Sequence, residues 1–202
     1  MTSDGQIVAC HDWDFWNRET AGKVFENGDV IPTLDVFMSH KIMGKYTPLS
    51  GEDLMIFLKD YPDAYIITDT KYANPDKVKE EFEALVNIAE ENSCVDVLDR
   101  FVVQIYHGYM HDIINDIYPF QNYIYTLYAE GYRGEEDKMR EYATFCMLHD
   151  IDVITMNAQY YKDGLSEICR QYGLQMFVHT VNEREVMKEF YQKGIGVYSD
   201  NV

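Results

Sequence analysis

A carboxylate and an ammonium group two residues apart follow an apolar stretch in the first half of the chain. Residues 63–71 read Asp-Ala-Tyr-Ile-Ile-Thr-Asp-Thr-Lys, a pattern typical of a strand that ends in polar residues. Because side chains alternate along a strand, Asp69 and Lys71 are predicted to lie on the same side of the strand end. An anion beside a cation can hold a divalent metal ion and a phosphoryl oxygen together. The pair therefore suggests phosphate-ester chemistry, although its spacing also fits an ordinary ion pair.

Other polar side chains follow apolar runs elsewhere in the chain. His11 and Asp12 come after the first such run, where His11 is either a general acid or base or a histidine in a turn. His179 lies in a later run and is interpreted, on residue type, as a hydrogen-bonded histidine of the sheet. His107 and His111 have the spacing of a metal pair, but no clear helix supports that interpretation. Further strand-end candidates are Gln104, Tyr106, Asn157, Thr180, Asn182 and Asp200.

The apolar pattern predicts alternating strands and helices. Helices are predicted at 75–91, 135–149, 165–172 and 183–193. Strands are predicted at 7–10, 65–68, 101–106, 123–128, 153–156, 176–180 and 196–199. Such alternation indicates βαβ units and a parallel sheet. The sequence has no Gly-rich phosphate turn of the kind found in open nucleotide-binding sheets, which favours a (β/α)₈ TIM barrel with its chemistry at the carboxyl ends of the strands.

Composition and charge narrow the class of protein. The 202 residues are 47% apolar and 14% aromatic, which is enough to build one globular domain spanning 1–202. The net charge of -18 argues against nucleic acid or an anionic membrane as a partner. No apolar run is long enough to span a bilayer. The four widely spaced cysteines favour buried, reduced thiols and a reducing compartment such as the cytoplasm.

Seven segments, in order, resemble the motifs of the glycerophosphodiester phosphodiesterase family. Residues 2–12 (TSDGQIVACHD) resemble T-x-D-G-x-x-V-x-x-H-D, 18–24 (RETAGKV) resemble R-T-T-x-G-x-V, and 30–36 (VIPTLDV) resemble I-P-T-L-x-E. Residues 69–71 (DTK) take the place of E-x-K, and 101–104 (FVVQ) resemble V-x-x-Q. Residues 179–182 (HTVN) are similar to W-T-V-N, and 194–200 (GIGVYSD) to G-V-x-x-I-x-T-D. By this ordered set, the chain is identified as a member of the family.

The resemblance implies a (β/α)₈ barrel that hydrolyses glycerophosphodiesters to an alcohol and a glycerol phosphate in lipid metabolism. The family uses two histidines and a divalent cation, for which Ca²⁺ and Mg²⁺ are the candidates. By resemblance, His11 protonates the leaving alkoxide, Asp69 coordinates the metal ion, and Lys71 holds a non-bridging phosphate oxygen. Three further positions are expected to contact the substrate: Gln104, His179 and Asn182.

The sequence also departs from the family pattern. The family's second histidine, in H-R-G, and two metal carboxylates, in E-x-D, lie upstream of the T-x-D-G turn and would precede Met1. The expectation is therefore a truncated barrel that lacks its first strand-helix unit and its second strand. Asp69 replaces a glutamate, and His179 replaces a tryptophan that would line the substrate pocket. The alternative function is a catalytically inactive truncated barrel with a binding or assembly role, while a lipase acting at membranes is disfavoured because no membrane-docking loop is evident.

Overall fold

The computed structural model describes residues 1–20, 30–70 and 72–201. These residues belong to two compact units. The first comprises Met1–Tyr65 and Asn74–Arg100, and the second comprises Ile66–Ala73 and Phe101–Val202. Buried apolar side chains occur in both units.

Helices make up most of the regular structure in the first unit. They are α1 (Trp13–Phe15), α2 (Leu34–Met38), α3 (Gly51–Asp60) and α4 (Pro75–Glu91), with a π-helical segment at Trp16–Thr20 and a 3₁₀ segment at Val95–Arg100. Helix α4 has the predicted bounds. Its start is fixed by the Asn74 side chain, which accepts hydrogen bonds from the backbone N–H groups of Asp76 and Lys77, and by Pro75 at the first helical position.

The segment at 7–10 is not a strand of the sheet, so that prediction is wrong. Val8 forms only an isolated antiparallel bridge with Ser50. The backbone N–H of Ala9 donates to the Leu49 carbonyl at 3.0 Å, so the loop before α3 pairs with this segment. The Val8 side chain packs against a small buried cluster that includes Trp16. A short apolar run can bury itself in this way without joining a sheet, and its periodicity cannot distinguish the two outcomes.

The second unit contains a parallel sheet. Its strands are β1 (Ile66–Ile67), β2 (Phe101–Ile105), β3 (Asn122–Thr126), β4 (Val153–Asn157), β5 (Gln175–His179) and β6 (Gly196–Val197). The helices between them are α5 (Gly108–Ile117), α6 (Glu136–Leu148), α7 (Leu165–Gln171) and α8 (Arg184–Gln192), with a 3₁₀ turn at Ala158–Tyr160. Helices α6, α7 and α8 confirm the predictions to within one residue at each end, whereas α3 and α5 were not predicted.

The order of the strands identifies the architecture. Neighbouring strands follow the order β1-β2-β3-β4-β5-β6, and every pair is parallel. A doubly wound open sheet would reverse its order at a switch point, whereas a barrel adds each strand on the same side of the last. The α/β class and the parallel sheet are therefore confirmed, and the sheet is curled as part of a barrel. The described residues supply six strands, and a closed (β/α)₈ barrel has eight.

The cysteines are free, as predicted, and three of them are buried. Cys146 of α6 and Cys169 of α7 lie in the core of the second unit, where the Cys169 thiol is 3.6 Å from the Met139 sulfur. Burial raises the pKa of each of these two thiols to about 12. They therefore behave as packing groups and not as nucleophiles at neutral pH.

None of the helices in the described ranges is long and apolar enough to cross a bilayer.

Candidate active site

Asp69 and Gln104 meet at the carboxyl ends of neighbouring strands, as the sequence predicts. The Gln104 amide nitrogen donates to Oδ1 of Asp69 at 3.3 Å. The hydroxyl of Tyr106 donates to the same oxygen, and the Gln104 amide nitrogen lies 2.9 Å from that hydroxyl. One carboxylate oxygen thus accepts hydrogen bonds from two side chains of the next strand.

Strand pairing explains why these side chains meet. The backbone N–H of Thr68 donates to the Val102 carbonyl at 3.0 Å, and the Thr68 hydroxyl accepts from the backbone N–H of Gln104 at 3.1 Å. These bonds fix the alignment of β1 with β2. Because side chains alternate along β2, Gln104 and Tyr106 point to the same face and both reach Asp69.

The protonation state of Tyr106 favours this arrangement. Burial raises the pKa of the Tyr106 hydroxyl well above its ordinary value, and the hydrogen bond to Asp69 and the charge of Asp69 act in the same direction. The phenol therefore stays protonated at neutral pH and remains a hydrogen-bond donor to the carboxylate.

Asp69 has the chemistry of a metal ligand. Its carboxylate is exposed and could be reached by a hydrated cation. Carboxylates that bind metal ions are usually held in turn by hydrogen-bond donors, the role that Tyr106 and Gln104 take here. The donor set therefore fits a hard, oxygen-binding cation such as Ca²⁺ or Mg²⁺.

His179 is the last residue of β5 and has a buried ring nitrogen. Its Nε2 atom has no hydrogen-bond partner among the described residues, so the interpretation of His179 as a hydrogen-bonded histidine is wrong at this atom. Burial lowers the pKa of His179, while the charge of Asp69 opposes that shift. The ring is therefore mainly neutral at pH 7. The ring centroids of His179 and Tyr128 lie 6.5 Å apart.

Asn182 ties together the segments that follow β5 and β6. Its side-chain oxygen accepts from the Ser199 hydroxyl at 3.1 Å and from the backbone N–H of Asp200 at 3.0 Å. Its side-chain nitrogen donates to the Asp200 carboxylate at 3.1 Å. Both ends of the amide are therefore engaged, and substrate contact by Asn182 stays a prediction.

His11 lies in the first unit, immediately before α1. Its side chain is 68% exposed, and Nδ1 is 2.5 Å from Oδ2 of Asp12. The other Asp12 oxygen accepts from the backbone N–H of Phe15 at 2.6 Å and so caps the helix. A carboxylate that is itself fixed by a helix end thus orients the imidazole. This second function of Asp12 was not predicted from the sequence.

The T-x-D-G segment forms a turn within the same unit. The backbone N–H of Gly5 donates to the Thr2 carbonyl at 3.0 Å, and Gly5 has a φ of 78°, a conformation that glycine adopts readily. The Asp4 carboxylate accepts from the backbone N–H of Leu34, the first residue of α2, at 3.0 Å. A hydrogen bond with Thr2 lowers the pKa of Asp4. The turn is therefore tied to the I-P-T-L segment that follows it in the chain.

Comparison with known proteins identifies the fold. No family model and no curated protein sequence matches the chain. Solved structures do match. One is a protein from Silicibacter pomeroyi DSS-3 that is assigned as a glycerophosphoryl diester phosphodiesterase, with a TM-score of 0.78, 14% identity, and coverage of 100% of this chain and 77% of the other.

Two further solved structures match the fold of this chain. The glycerophosphodiester phosphodiesterase from Parabacteroides distasonis ATCC 8503 gives a TM-score of 0.72 at 13% identity, over 98% of this chain and 76% of the other. An Oleispira antarctica phosphodiesterase in complex with the product sn-glycerol-3-phosphate gives 0.73 at 15% identity, over 99% of this chain and 78% of the other. The chain has the glycerophosphodiester phosphodiesterase fold. The α/β class and the curled parallel sheet that the motif resemblance implied are therefore confirmed for the six described strands.

Two motif segments of the glycerophosphodiester phosphodiesterase pattern reach beyond the described residues. Lys71, the predicted phosphate contact, lies outside them, as does the part of the R-T-T-x-G-x-V segment from residue 21 onward. Their assigned functions stay predictions.

The four-residue spacing of His107 and His111 would allow them to bind one metal ion together. In the structure the two residues have different partners and do not form such a pair. His107 precedes α5 and lies 3.0 Å from the Glu130 carboxylate, which also accepts from the Tyr125 hydroxyl at 2.9 Å. His111 lies on α5, a helix that the sequence pattern did not predict. Its ring lies 4.9 Å, between centroids, from that of His149, which directly follows α6.

Proposed function

We propose that the protein is a metal-dependent glycerophosphodiester phosphodiesterase that cleaves a small-molecule diester to an alcohol and a glycerol phosphate. One observation carries this proposal. The chain shares its fold over nearly its whole length with phosphodiesterases, and the Asp69 carboxylate lies at the strand ends, where Tyr106 and Gln104 hold it. The product named in the Oleispira antarctica structure, sn-glycerol-3-phosphate, supports the same substrate class.

Asp69 is assigned as the metal ligand. A bound Ca²⁺ or Mg²⁺ ion would polarise the phosphoryl oxygen and offset the charge that develops on it. Tyr106 and Gln104 hold the carboxylate in place and so reduce the reorganisation that binding requires. Lys71 is assigned to a non-bridging phosphate oxygen, where an ammonium acts as a point charge.

His11 is assigned as the general acid. Its Nδ1 atom is paired with Asp12, so Nε2 can carry the proton that passes to the leaving oxygen as the P–O bond breaks. The same Asp12 carboxylate fixes the orientation of the ring through this contact. Water balances the step: its oxygen forms the new bond to phosphorus as the bond to the leaving alcohol breaks, and one of its protons replaces the proton that the ring gave up.

His179 and Asn182 are assigned to the substrate pocket. The buried Nε2 of His179 lacks a partner within the part of the chain that the structure describes, and a substrate hydroxyl would provide one. Asn182 would act mainly by positioning the segment around Asp200. Residues 1–202 are taken as part of a single phosphodiesterase domain, and the free cysteines favour a reducing compartment such as the cytoplasm.

The direct test is hydrolysis of glycerophosphocholine by the purified protein, followed as release of glycerol phosphate. We expect activity that is lost in excess EDTA and restored by Ca²⁺ or Mg²⁺, because the metal ion offsets the phosphoryl charge. Activity that persists in EDTA would contradict the metal dependence. Absence of diesterase activity on several glycerophosphodiesters, with metal present, would instead support an inactive barrel with a binding function.

A further inference from the structure

Two histidines and an aspartate converge where α5 and α6 pack together. His111 and Asp112 lie on α5, and His149 directly follows α6. One ligand atom from each of the three lies within 4.8 Å of the others, and this is the only such group of three or more in the described ranges. The group is distinct from Asp69, because His149 precedes the amino end of β4, whereas the candidate active site lies at the carboxyl ends of the strands.

The separations are close to those of a coordinated ion. Oδ1 of Asp112 lies 3.3 Å from Nδ1 of His111 and 3.9 Å from Nε2 of His149. Ligand atoms about 2.0–2.1 Å from a tetrahedral Zn²⁺ ion are separated from one another by about 3.3 Å. One distance already has this value, the other exceeds it by 0.6 Å, and every separation in the group is at most 4.8 Å.

The tautomer of His149 suits metal binding. Its Nδ1 atom is 2.9 Å from the backbone carbonyl oxygen of Phe145. Because a carbonyl can only accept, Nδ1 carries a proton, which leaves Nε2 as the ring atom that can bind a metal ion. Histidine ligands of metal ions commonly donate their other ring nitrogen to a backbone carbonyl in this way.

Both rings are held by packing before any ion binds. The His149 ring stacks on Phe145 with centroids 4.0 Å apart, and the His111 ring lies 4.8 Å from the ring of Tyr123. The His111 side chain is only 12% exposed. The helices approach closely because Gly108 has no side chain, since a Cβ atom there would lie 3.0 Å from the Phe145 ring. Such preorganisation reduces the entropy lost on binding.

We propose that His111, Asp112 and His149 bind a transition-metal dication of the Zn²⁺ class and thereby clamp α5 to α6. Two imidazoles and one carboxylate match the preferences of Zn²⁺, whereas Ca²⁺ and Mg²⁺ favour sites made of oxygen ligands. Three protein ligands leave one tetrahedral position for water. The ion would stabilise the folded state because it binds only the folded chain, where it links α5 to α6. The two histidines that it joins, His111 and His149, are 38 positions apart in the chain.

The test is a titration of the untagged, metal-free protein with Zn²⁺ in excess Mg²⁺, read by calorimetry and by the visible spectrum of the Co²⁺ form. We expect one ion per chain, at least about tenfold weaker binding in His111→Ala, His149→Ala and Asp112→Asn, and a rise in thermal midpoint with Zn²⁺ for the wild type only. The Asp112 side chain is 74% exposed, so Asp112→Asn tests the site without disturbing the core.

His40 provides a matched control. Its Nδ1 atom also lies 2.9 Å from the carbonyl oxygen four residues earlier, but His40 belongs to no metal-ligand group within the described residues. Zn²⁺ affinity should be unchanged in His40→Ala and in Asp69→Asn. Unchanged affinity in both His149→Ala and Asp112→Asn would overturn the proposal, as would loss of the ion in Cys10→Ser or Asp69→Asn instead.

Discussion

His11 and Asp69 are both assigned to catalysis, but different kinds of contact hold them. His11 is 68% exposed, and its partner is the next residue, Asp12. Asp69 is held by Gln104 and Tyr106, which lie 35 and 37 positions further along the chain. The first arrangement depends on local backbone at a helix start, and the second depends on the alignment of two strands. Substitutions should therefore affect the two sites differently.

The largest effect is expected at His11. His11→Ala should lower kcat by roughly 10²–10⁴-fold, because an alkoxide leaves poorly without a general acid. Stability should change little, since the side chain is exposed and an exposed ion pair contributes little to folding. The measurement is steady-state hydrolysis of glycerophosphocholine together with the urea midpoint, and His40→Ala is the control. A variant as active as wild type would remove His11 from the mechanism.

An intermediate effect is expected at Tyr106. Tyr106→Phe removes a hydrogen-bond donor to Oδ1 of Asp69 and should weaken binding of the activating metal ion by about 10–100-fold. The metal concentration that gives half-maximal activity measures this effect. Tyr191→Phe serves as the control, because that tyrosine is 58% exposed on α8. An equal metal requirement in Tyr106→Phe and wild type would show that the hydrogen bond does not hold a metal ligand.

The smallest effect concerns the acid sensitivity of folding. Burial lowers the pKa of His179 below its ordinary value of 6.5, although the charge of Asp69 opposes this. Between the lowered value and 6.5, the unfolded chain binds more protons than the folded one, so stability falls as pH decreases through this window. His179→Phe should therefore lose less stability than wild type between about pH 7.5 and about pH 5.5. Urea unfolding in EDTA at several pH values measures the free energy of unfolding of each protein. An equal loss of this free energy in wild type and His179→Phe would contradict the account.

Much of the fold follows from local sequence signals. The helix at 75–91 has a cap residue, a proline at its first position and regular apolar spacing, and its bounds were predicted without error. The capping box of Ser50 and Asp53 marks the start of α3, but the prediction did not use it. Strand β1 extends over only two residues, and the run at 7–10 pairs with a loop, because tertiary packing decides the fate of short apolar runs.

In the candidate sites, too, some contacts could be predicted from the sequence and others depend on tertiary packing. The proximity of Asp69 and Gln104 could be predicted, because the carboxyl ends of parallel strands lie at one edge of a sheet. The contact between Tyr106 and Asp69 depends on strand alignment as well. The meeting of His111 with His149 depends on how α5 packs against α6, and no local pattern contains that information. The spacing of His107 and His111 only allowed a pairing within one segment, and the sequence analysis did not favour it.

The most direct test of the central claim is a titration of diesterase activity with Mg²⁺ and Ca²⁺ in wild type and Asp69→Asn, after removal of bound metal. The account predicts that wild type is activated to saturation, while Asp69→Asn needs a much higher metal concentration or is not activated at all. Asn keeps the size of the side chain but removes the charge that attracts the cation. Identical activation curves for the two proteins would contradict the assignment of the metal site to Asp69.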